Sequence, residues 1–250
     1  LRNDTEKDPE TGVPLTGRRL SQCLQVGADR FGWSERAAKP RAKREGQWLI
    51  GMGVASAIRF HFQGPAEVEV EIKQSGRIEV RSDLTDIGTG SYTILAQIAA
   101  ELLGLEVGDI DVSLAHSSLP PGGGSGGSWG APNTAVALHQ ACLRLVEQTG
   151  ISPGPDFVKR ALAFNPKGAV AKGEIQSAAN TPDWDKKSRH TYGAHFVEVG
   201  IHELTGEIRL RRMLGVFSAG RILNPKTARS QLLGGMIWGV SAAIREVAEV

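Results

Sequence analysis

Two short segments rich in glycine and hydroxyl side chains are the residues of this sequence best suited to hold a ligand. The first segment contains Gly88, Thr89 and Gly90, and it lies between a predicted strand and a predicted helix. Glycine tolerates positive φ and close approach, and the free N–H groups of a first helical turn attract anions. The segment therefore predicts an anion-binding turn. The alternative is that it only shapes the chain, with Ser91 as the helix N-cap.

The second segment is a glycine-rich loop that also leads into a predicted helix. Its central residues are Gly124, Ser125, Gly126, Gly127 and Ser128. The glycine spacing matches G-x-G-x-x-G, but the βαβ unit of a dinucleotide fold does not follow, and no lysine follows as in a P-loop. What remains is a nest of backbone N–H groups for a phosphate or a polar heterocycle, or else a flexible linker.

A third segment, 219–225, runs into a predicted helix that contains Gln231. The Gln231 side chain has the donors and acceptors to bind an amide or a phosphate edge. The helix has interior glycines, which cost about 1 kcal/mol each against alanine. We therefore expect a close neighbour there, either a ligand or a tightly packed helix that crosses at Gly234 and Gly235.

Few other side chains have a pattern that indicates chemistry. Arg59 ends an apolar strand, and it either extends along the surface to solvent or projects into a pocket as a clamp for an anion or carbonyl. The six histidines include no HExxH motif, and Cys23 and Cys142 form no CxxC. A structural zinc or an iron–sulfur cluster held by this chain is therefore not expected. Cys142 is predicted to be a packing residue.

The composition excludes several classes of protein. Lys and Arg together number 29 against 27 Asp and Glu, which gives a formal net charge of +2. That balance disfavours nucleic-acid binding, which leaves a strongly basic footprint. No apolar run approaches the ~18–20 residues of a membrane span. The polar first ten residues lack the apolar core of a signal peptide.

The elements that position these segments are predicted to be hairpins followed by helices. Strict alternation predicts a strand at 66–73 paired with 78–82, and a second hairpin joins 193–203 to 207–217. Helices are predicted at 18–31, 93–103, 131–148 and 226–246, and a further strand near 169–176. The predicted fold class is α+β, with antiparallel hairpins that carry helices on one face. Two α/β halves are expected, 1–150 and 151–250.

Taken in order, the three segments resemble the large, molybdopterin-binding subunit of the xanthine dehydrogenase/aldehyde oxidase family. The resemblance covers the turn 86–90 with the helix 97–104, the loop 124–128, and the stretch from 196–199 through Asn224 and Pro225 to 231–235. It extends over roughly 46–246, and residues 1–33 resemble the bacterial aldehyde-dehydrogenase-type branch. The whole is therefore identified as a partial chain of such a subunit.

The resemblance implies a molybdopterin cofactor with molybdenum, for which the cytosine dinucleotide is a bacterial form. The residues it assigns are Gly88, Thr89 and Gly90 at the pterin, Gly124, Ser125, Gly126, Gly127 and Ser128 along the cofactor, Gln231 at the nucleotide end, and Arg59 near the substrate. No residue of this chain is expected to bind the metal directly.

The implied reaction is hydroxylation of an aldehyde or an N-heterocycle, with water as the source of oxygen. Electrons would leave through iron–sulfur clusters and FAD on partner subunits, in the cytoplasm or, through a partner's export signal, in the periplasm. The family's catalytic glutamate has no counterpart in this sequence, so the isolated chain is expected to be inactive. The alternatives are a non-catalytic paralogue that binds the cofactor and an unrelated phosphate- or nucleotide-binding domain.

Overall fold

The structure is a computed structural model that describes residues 6–176 and 186–246, and this part of the chain mixes helices and strands. The helices are α1 (Leu20–Phe31), α2 (Ser91–Leu103), α3 (Gly130–Thr149), α4 (Phe157–Phe164) and α5 (Pro225–Arg245). The strands are β1 (Arg44–Glu45), β2 (Trp48–Phe60), β3 (Ala66–Ile72), β4 (Ile78–Arg81), β5 (Ile110–Ser113), β6 (Ala169–Ile175), β7 (His190–His202) and β8 (Ile208–Ser218). The predicted α+β class is confirmed.

The chain divides into two compact units, each made from separated stretches of sequence. Unit 1 comprises Leu1–His61, Lys186–Ile222 and Ala228–Val250, and unit 2 comprises Phe62–Asp185 and Leu223–Thr227. This division differs from the predicted boundary between residues 150 and 151. The physical reason is strand pairing, because β2 pairs with β7 and β3 pairs with β6, across long sequence separations that local patterns do not reveal.

Unit 1 is built on a four-stranded sheet in the order β1-β2-β7-β8, in which all neighbours are antiparallel. The helix α1 ends at Gly32, whose left-handed φ of 74° supplies the C-cap. Its apolar stripe covers a small core that contains Cys23, Phe31 and Phe196. The predicted hairpin of β7 and β8 and the predicted helix α1 are therefore confirmed.

Unit 2 has a four-stranded sheet in the order β5-β4-β3-β6, with α2, α3 and α4 contributing to its core. The alternation in β3 places Val68, Val70 and Ile72 in that core, as predicted. The β3–β4 hairpin is also confirmed, whereas β5 pairs with β4 in parallel. A parallel pair needs a long crossover connection, and α2 lies within it.

The last helix, α5, departs from expectation. It forms where the sequence predicts it, but none of its residues is buried. An added Cβ at Gly234 or Gly235 would meet no atom within 4 Å in the described part of the protein. The predicted close neighbour of these glycines is therefore not found there, because the helix contacts β8 through Met236, near Gly215, and Gly234 and Gly235 face open space.

Candidate functional site

The first glycine-containing turn lies in unit 2 between β4 and α2. Gly88 has a φ of 98° and Gly90 a φ of 87°, both in the left-handed region, which glycine enters without steric cost. A Cβ at Gly90 would also lie 2.7 Å from Cγ2 of Thr227. The prediction that this turn requires glycine is confirmed.

The amides of this turn are already bound by a side chain of the same segment. The Asp86 carboxylate accepts hydrogen bonds from the N–H groups of Gly88 and Thr89, both at 2.8 Å, and of Gly90 at 3.3 Å. The prediction that these amides are open to an anion is therefore wrong for this structure. Ser91 is the first helical residue and not the N-cap, which is Gly90.

Asp86 is held in its charged form by these contacts. Its burial would raise the pKa of the carboxyl, but the backbone hydrogen bonds from Gly88, Gly90, Thr89 and Ser91 outweigh burial, and the pKa lies below its ordinary value of 3.8. The turn therefore presents a carboxylate and the hydroxyls of Thr89 and Ser91, which lie 3.2 Å apart. Such a surface suits a ligand edge that donates hydrogen bonds better than it suits a phosphate.

The base of the second loop is packed against the sheet of unit 2. The N–H of Gly122 donates to the Asp83 carboxylate, and the N–H of Gly123 donates to the Thr134 hydroxyl at 3.2 Å. A Cβ at Gly122 would overlap the backbone of Leu84, and one at Gly123 would lie 2.9 Å from the carbonyl oxygen of Gly130. The glycines at the base are thus required by close packing.

An aromatic side chain fixes the middle of the loop. A Cβ added at Gly124 would lie 2.5 Å from the Trp129 ring, and a Cβ added at Gly64 would lie equally close to it. The ring also makes an edge contact with Phe62, with centroids 5.5 Å apart. Buried Asn133 accepts the N–H of Gly64 at 3.2 Å and so ties the same neighbours to α3. Trp129 and Asn133 have no motif in the sequence, and their contacts with Phe62 and Gly64 join segments that are distant along the chain.

The tip of the loop is open and contains the candidate residues with the fewest constraints. Gly126, Gly127 and Ser128 are exposed, and a Cβ at Gly126 would meet no described atom within 4 Å. Gly127 and Ser128 have φ values of 53° and 58°. Positive φ at two consecutive residues makes a sharp turn of the backbone at the tip.

A hydrogen bond joins the two predicted loops. The Ser125 hydroxyl donates to the carbonyl oxygen of Thr85, the residue before Asp86. Forty positions separate the two residues along the chain. Two of the three segments predicted from the sequence therefore lie side by side in unit 2.

The start of the third segment adds a further polar contact in unit 2. The Asn224 amide donates to the side-chain oxygen of Gln97 on α2 at 3.1 Å. The Asn224 side-chain oxygen accepts the N–H groups of Lys226 and Thr227 at 3.0 and 3.1 Å, which caps the first turn of α5. The turn predicted at Asn224 and Pro225 is thus a helix cap.

The other two predicted site residues belong to unit 1. Gln231 is exposed on α5. Arg59 is exposed near the end of β2, opposite Thr191. The pKa of the neighbouring His61 is lowered, by burial first and then by the charges of Arg189 and Arg59.

Unit 1 also has a cavity of about 610 Å³ that the sequence did not reveal. Arg19, Gln22, His190 and Ser218 line it with polar groups, and Gly220 of the third segment borders it. The sequence predicts a helix at 18–31, but the polar face of that helix has no motif that would indicate a cavity. Cys142 of unit 2, by contrast, is buried as predicted, and burial raises the pKa of its thiol to about 12.

Within 6–176 and 186–246, no group of three His, Cys, Asp or Glu side chains could hold a metal ion. No helix in the same part of the chain is long and apolar enough to cross a membrane.

Comparison with known proteins finds the same family from two directions. A family model described as molybdopterin cofactor-binding domain matches residues 26–250. The aldehyde oxidoreductase molybdenum-binding subunit PaoC of Escherichia coli (strain K12) is 43% identical over 98% of this chain. The putative xanthine dehydrogenase molybdenum-binding subunit XdhA of the same strain is 28% identical over 93% of it. The chain covers 35% and 36% of these relatives, about a third of their length.

Solved structures share the fold. Aldehyde oxidoreductase from Desulfovibrio gigas aligns with a TM-score of 0.77 and 19% identity, covering 92% of this chain and 27% of that one. Quinoline 2-oxidoreductase from Pseudomonas putida 86 aligns with a TM-score of 0.75 and 18% identity, covering 94% of this chain and 35% of that one. At these identities the likeness concerns the fold alone.

Proposed function

Because the chain belongs to the molybdopterin cofactor-binding domain family, we propose that its two joined loops in unit 2 form part of the binding surface for a molybdopterin. The observation that supports this most directly is the hydrogen bond from Ser125 to Thr85, which holds the two predicted segments together. The relatives' printed names include aldehyde oxidoreductase and xanthine dehydrogenase molybdenum-binding subunits. We propose that this chain is part of such a molybdenum-binding subunit, since it spans about a third of the length of these relatives.

The residues present fit such a cofactor in two different ways. At the first turn, the Asp86 carboxylate and the hydroxyls of Thr89 and Ser91 can accept hydrogen bonds from the amino and N–H edge of a pterin. At the second, the exposed backbone of Gly126 and Ser128 leaves room for a phosphate or a further part of the cofactor. Gly88 and Gly90 are assigned to shaping the first turn and Thr89 to contact.

The metal would be bound by the cofactor and not by side chains of this chain. When bound, the molybdopterin supplies a molybdenum centre for the two-electron hydroxylation of an aldehyde or an N-heterocycle with water as the source of oxygen. For an aldehyde, the balance is aldehyde plus water to carboxylic acid, two protons and two electrons. We propose that these electrons pass to iron–sulfur clusters and FAD on partner subunits.

Two residues of unit 1 are proposed for contacts at a distance from these loops. Gln231 is assigned to the nucleotide end of a cytosine dinucleotide cofactor and Arg59 to the substrate. Both side chains are exposed in the described protein, so we expect the alanine variants to fold. Gln231→Ala is then expected to lower cofactor content, and Arg59→Ala to change substrate kinetics at unchanged molybdenum content.

The proposal is tested by analysing molybdenum and pterin in the protein purified after co-expression with its genomic neighbours. Stoichiometric molybdenum with a fluorescent pterin is expected. If molybdenum and pterin are both present but the protein turns over no aldehyde or N-heterocycle, the alternative is favoured, a cofactor-binding protein that has lost catalysis. If the purified protein contains neither molybdenum nor pterin, cofactor binding is refuted.

A further inference from the structure

Unit 1 has a second cavity, which no part of the proposed cofactor site uses. It has a volume of about 380 Å³ and lies between the segment after α1 and the first half of β2. Four basic residues line it, and no acidic residue does: the cations are Arg36, Lys39, Arg41 and Lys43. We call it the basic cleft. The structure thus folds the basic stretch 36–43 around a cavity.

Two of the four cations are not neutralised. The guanidinium of Arg36 stacks over the ring of Trp33, 4.4 Å from its centroid. Arg41 pairs with Glu203 at 3.3 Å, and Lys43 lies 3.7 Å from Glu198. Within the residues that the structure describes, Arg36 and Lys39 have no acidic partner within ion-pair distance.

The neighbouring carboxylates are themselves outnumbered by basic groups. Glu198 is buried, and besides Lys43 it contacts Arg211 at 3.3 Å and Arg212 at 3.2 Å. Glu203 binds Arg44 as well as Arg41. These acids therefore cannot also compensate the free cations of the cleft.

Other acidic groups nearby do not change that balance. Glu45 is already paired with Arg211 at 2.6 Å. Glu35, on the turn next to Trp33, does not line the cleft. The whole chain has a net charge of only +2, so this local excess of positive charge is not a reflection of a generally basic protein.

The remaining lining is apolar or aromatic. Ala37, Ala38, Ile50 and Met52 provide apolar surface beside the Trp33 ring. A bare inorganic anion would satisfy the cations but leave this surface in contact with water. A planar apolar group attached to the anion would cover it and could stack on the Arg36 guanidinium, which itself lies over the Trp33 ring.

We propose that the basic cleft is a binding site for a small organic anion, in which a carboxylate or phosphate is attached to an aromatic or other planar group. The anionic group binds Arg36 and Lys39, and the planar group lies against the apolar lining beside the stacked pair of Arg36 and Trp33. The cavity volume falls within the range of about 300–1,000 Å³ that is typical of small-molecule sites. This site is independent of the cofactor proposal, since it uses none of the same residues.

The test is a set of titrations of the purified protein, followed by calorimetry and by the indole N–H resonance of Trp33. The probes are benzoate and phenyl phosphate, with inorganic phosphate and benzyl alcohol as controls that each lack one half of the ligand. At least one aromatic anion is expected to bind about tenfold or more tightly than either control. The probe that binds more tightly identifies the anionic group as carboxylate or phosphate.

Variants assign the binding to the cleft. Arg36→Gln with Lys39→Gln is expected to weaken the aromatic anion by about tenfold or more. Lys167→Gln, an exposed lysine of unit 2, serves as the control and is expected to leave the affinity unchanged. The proposal is overturned if no aromatic anion binds more tightly than the controls, or if the double variant binds as tightly as Lys167→Gln does.

Discussion

The two glycine-containing loops of unit 2 use the same residue type for different physical purposes. In the turn 86–90, Gly88 and Gly90 adopt left-handed φ values, and their N–H groups bind the Asp86 carboxylate. In the loop 122–128, the first three glycines leave room for packed neighbours, whereas Gly126 faces open space. A glycine-rich sequence thus contains backbone-shaping, close-packing and open positions that composition alone does not separate.

The difference also changes what each loop can bind. The backbone N–H groups of the first turn already donate to Asp86, and the turn offers hydrogen-bond acceptors, so it suits a ligand edge that donates hydrogen bonds. The second is fixed at its base and open at its tip, so it suits an anionic or bulky part of one. Substitutions that separate the two loops should have their largest effect where the backbone is most tightly packed.

The largest effect is expected at the packed base of the second loop. Gly122→Ala places a methyl group against the backbone of buried Leu84, in the segment that follows β4. We expect a loss of about 3 kcal/mol in the free energy of unfolding, at the upper end for overpacking, measured by urea denaturation. The matched control is Gly126→Ala at the open tip, with a change within about 0.5 kcal/mol. Equal losses at both positions would remove the distinction between base and tip.

A smaller effect is expected at the first turn. Gly90→Ala puts a side chain into left-handed backbone and 2.7 Å from Thr227, and should cost about 2 kcal/mol. Gly88→Ala meets no neighbouring atom and should cost about 1 kcal/mol from the backbone alone. The two variants are compared by thermal and urea unfolding. If Gly88→Ala is the more damaging, the contact with Thr227 does not restrict this turn.

The smallest effect is expected from the charge of Asp86. Asp86→Asn keeps the shape but weakens the charge-assisted bonds, with an expected loss of about 1 kcal/mol at pH 7. The pKa of Asp86 is lowered in the folded protein, so its contribution is present above the ordinary value of 3.8 and is lost as the pH falls through the folded pKa.

Unfolding at a series of pH values checks that sign. The difference between the native protein and Asp86→Asn should shrink as the pH is lowered below about 3.8. A difference that stays constant down to strongly acidic pH would show that the carboxylate charge does not stabilise the turn.

Local pattern was sufficient to predict most of the elements. The alternation of Val68, Val70 and Ile72 predicted both β3 and its buried face, and Gly32 and Gly104 marked the ends of α1 and α2. These features depend on neighbours in sequence. The division into units did not follow, because it depends on β2 pairing with β7 and on β3 pairing with β6.

The candidate site was predicted in part, for the same reason. Glycines and hydroxyls at 86–91 and 124–128 were found from composition and position. Their anchors were not, because Asp83, Trp129 and Asn133 have no motif and act through contacts up to 71 residues away. The Asp86 carboxylate binds the turn's own amides, a local side-chain-to-backbone contact that the pattern of glycines and hydroxyls does not reveal.

The measurement that tests the central claim most directly is the molybdenum and pterin content of Gly126→Val beside that of the native protein, both co-expressed with the genomic neighbours. Gly126 lies at the open tip, so the variant should unfold within about 0.5 kcal/mol of the native protein. If the tip binds the cofactor, we expect molybdenum and pterin to fall together by about tenfold or more. Full cofactor content in a stable Gly126→Val protein would contradict the assignment of this loop to the cofactor.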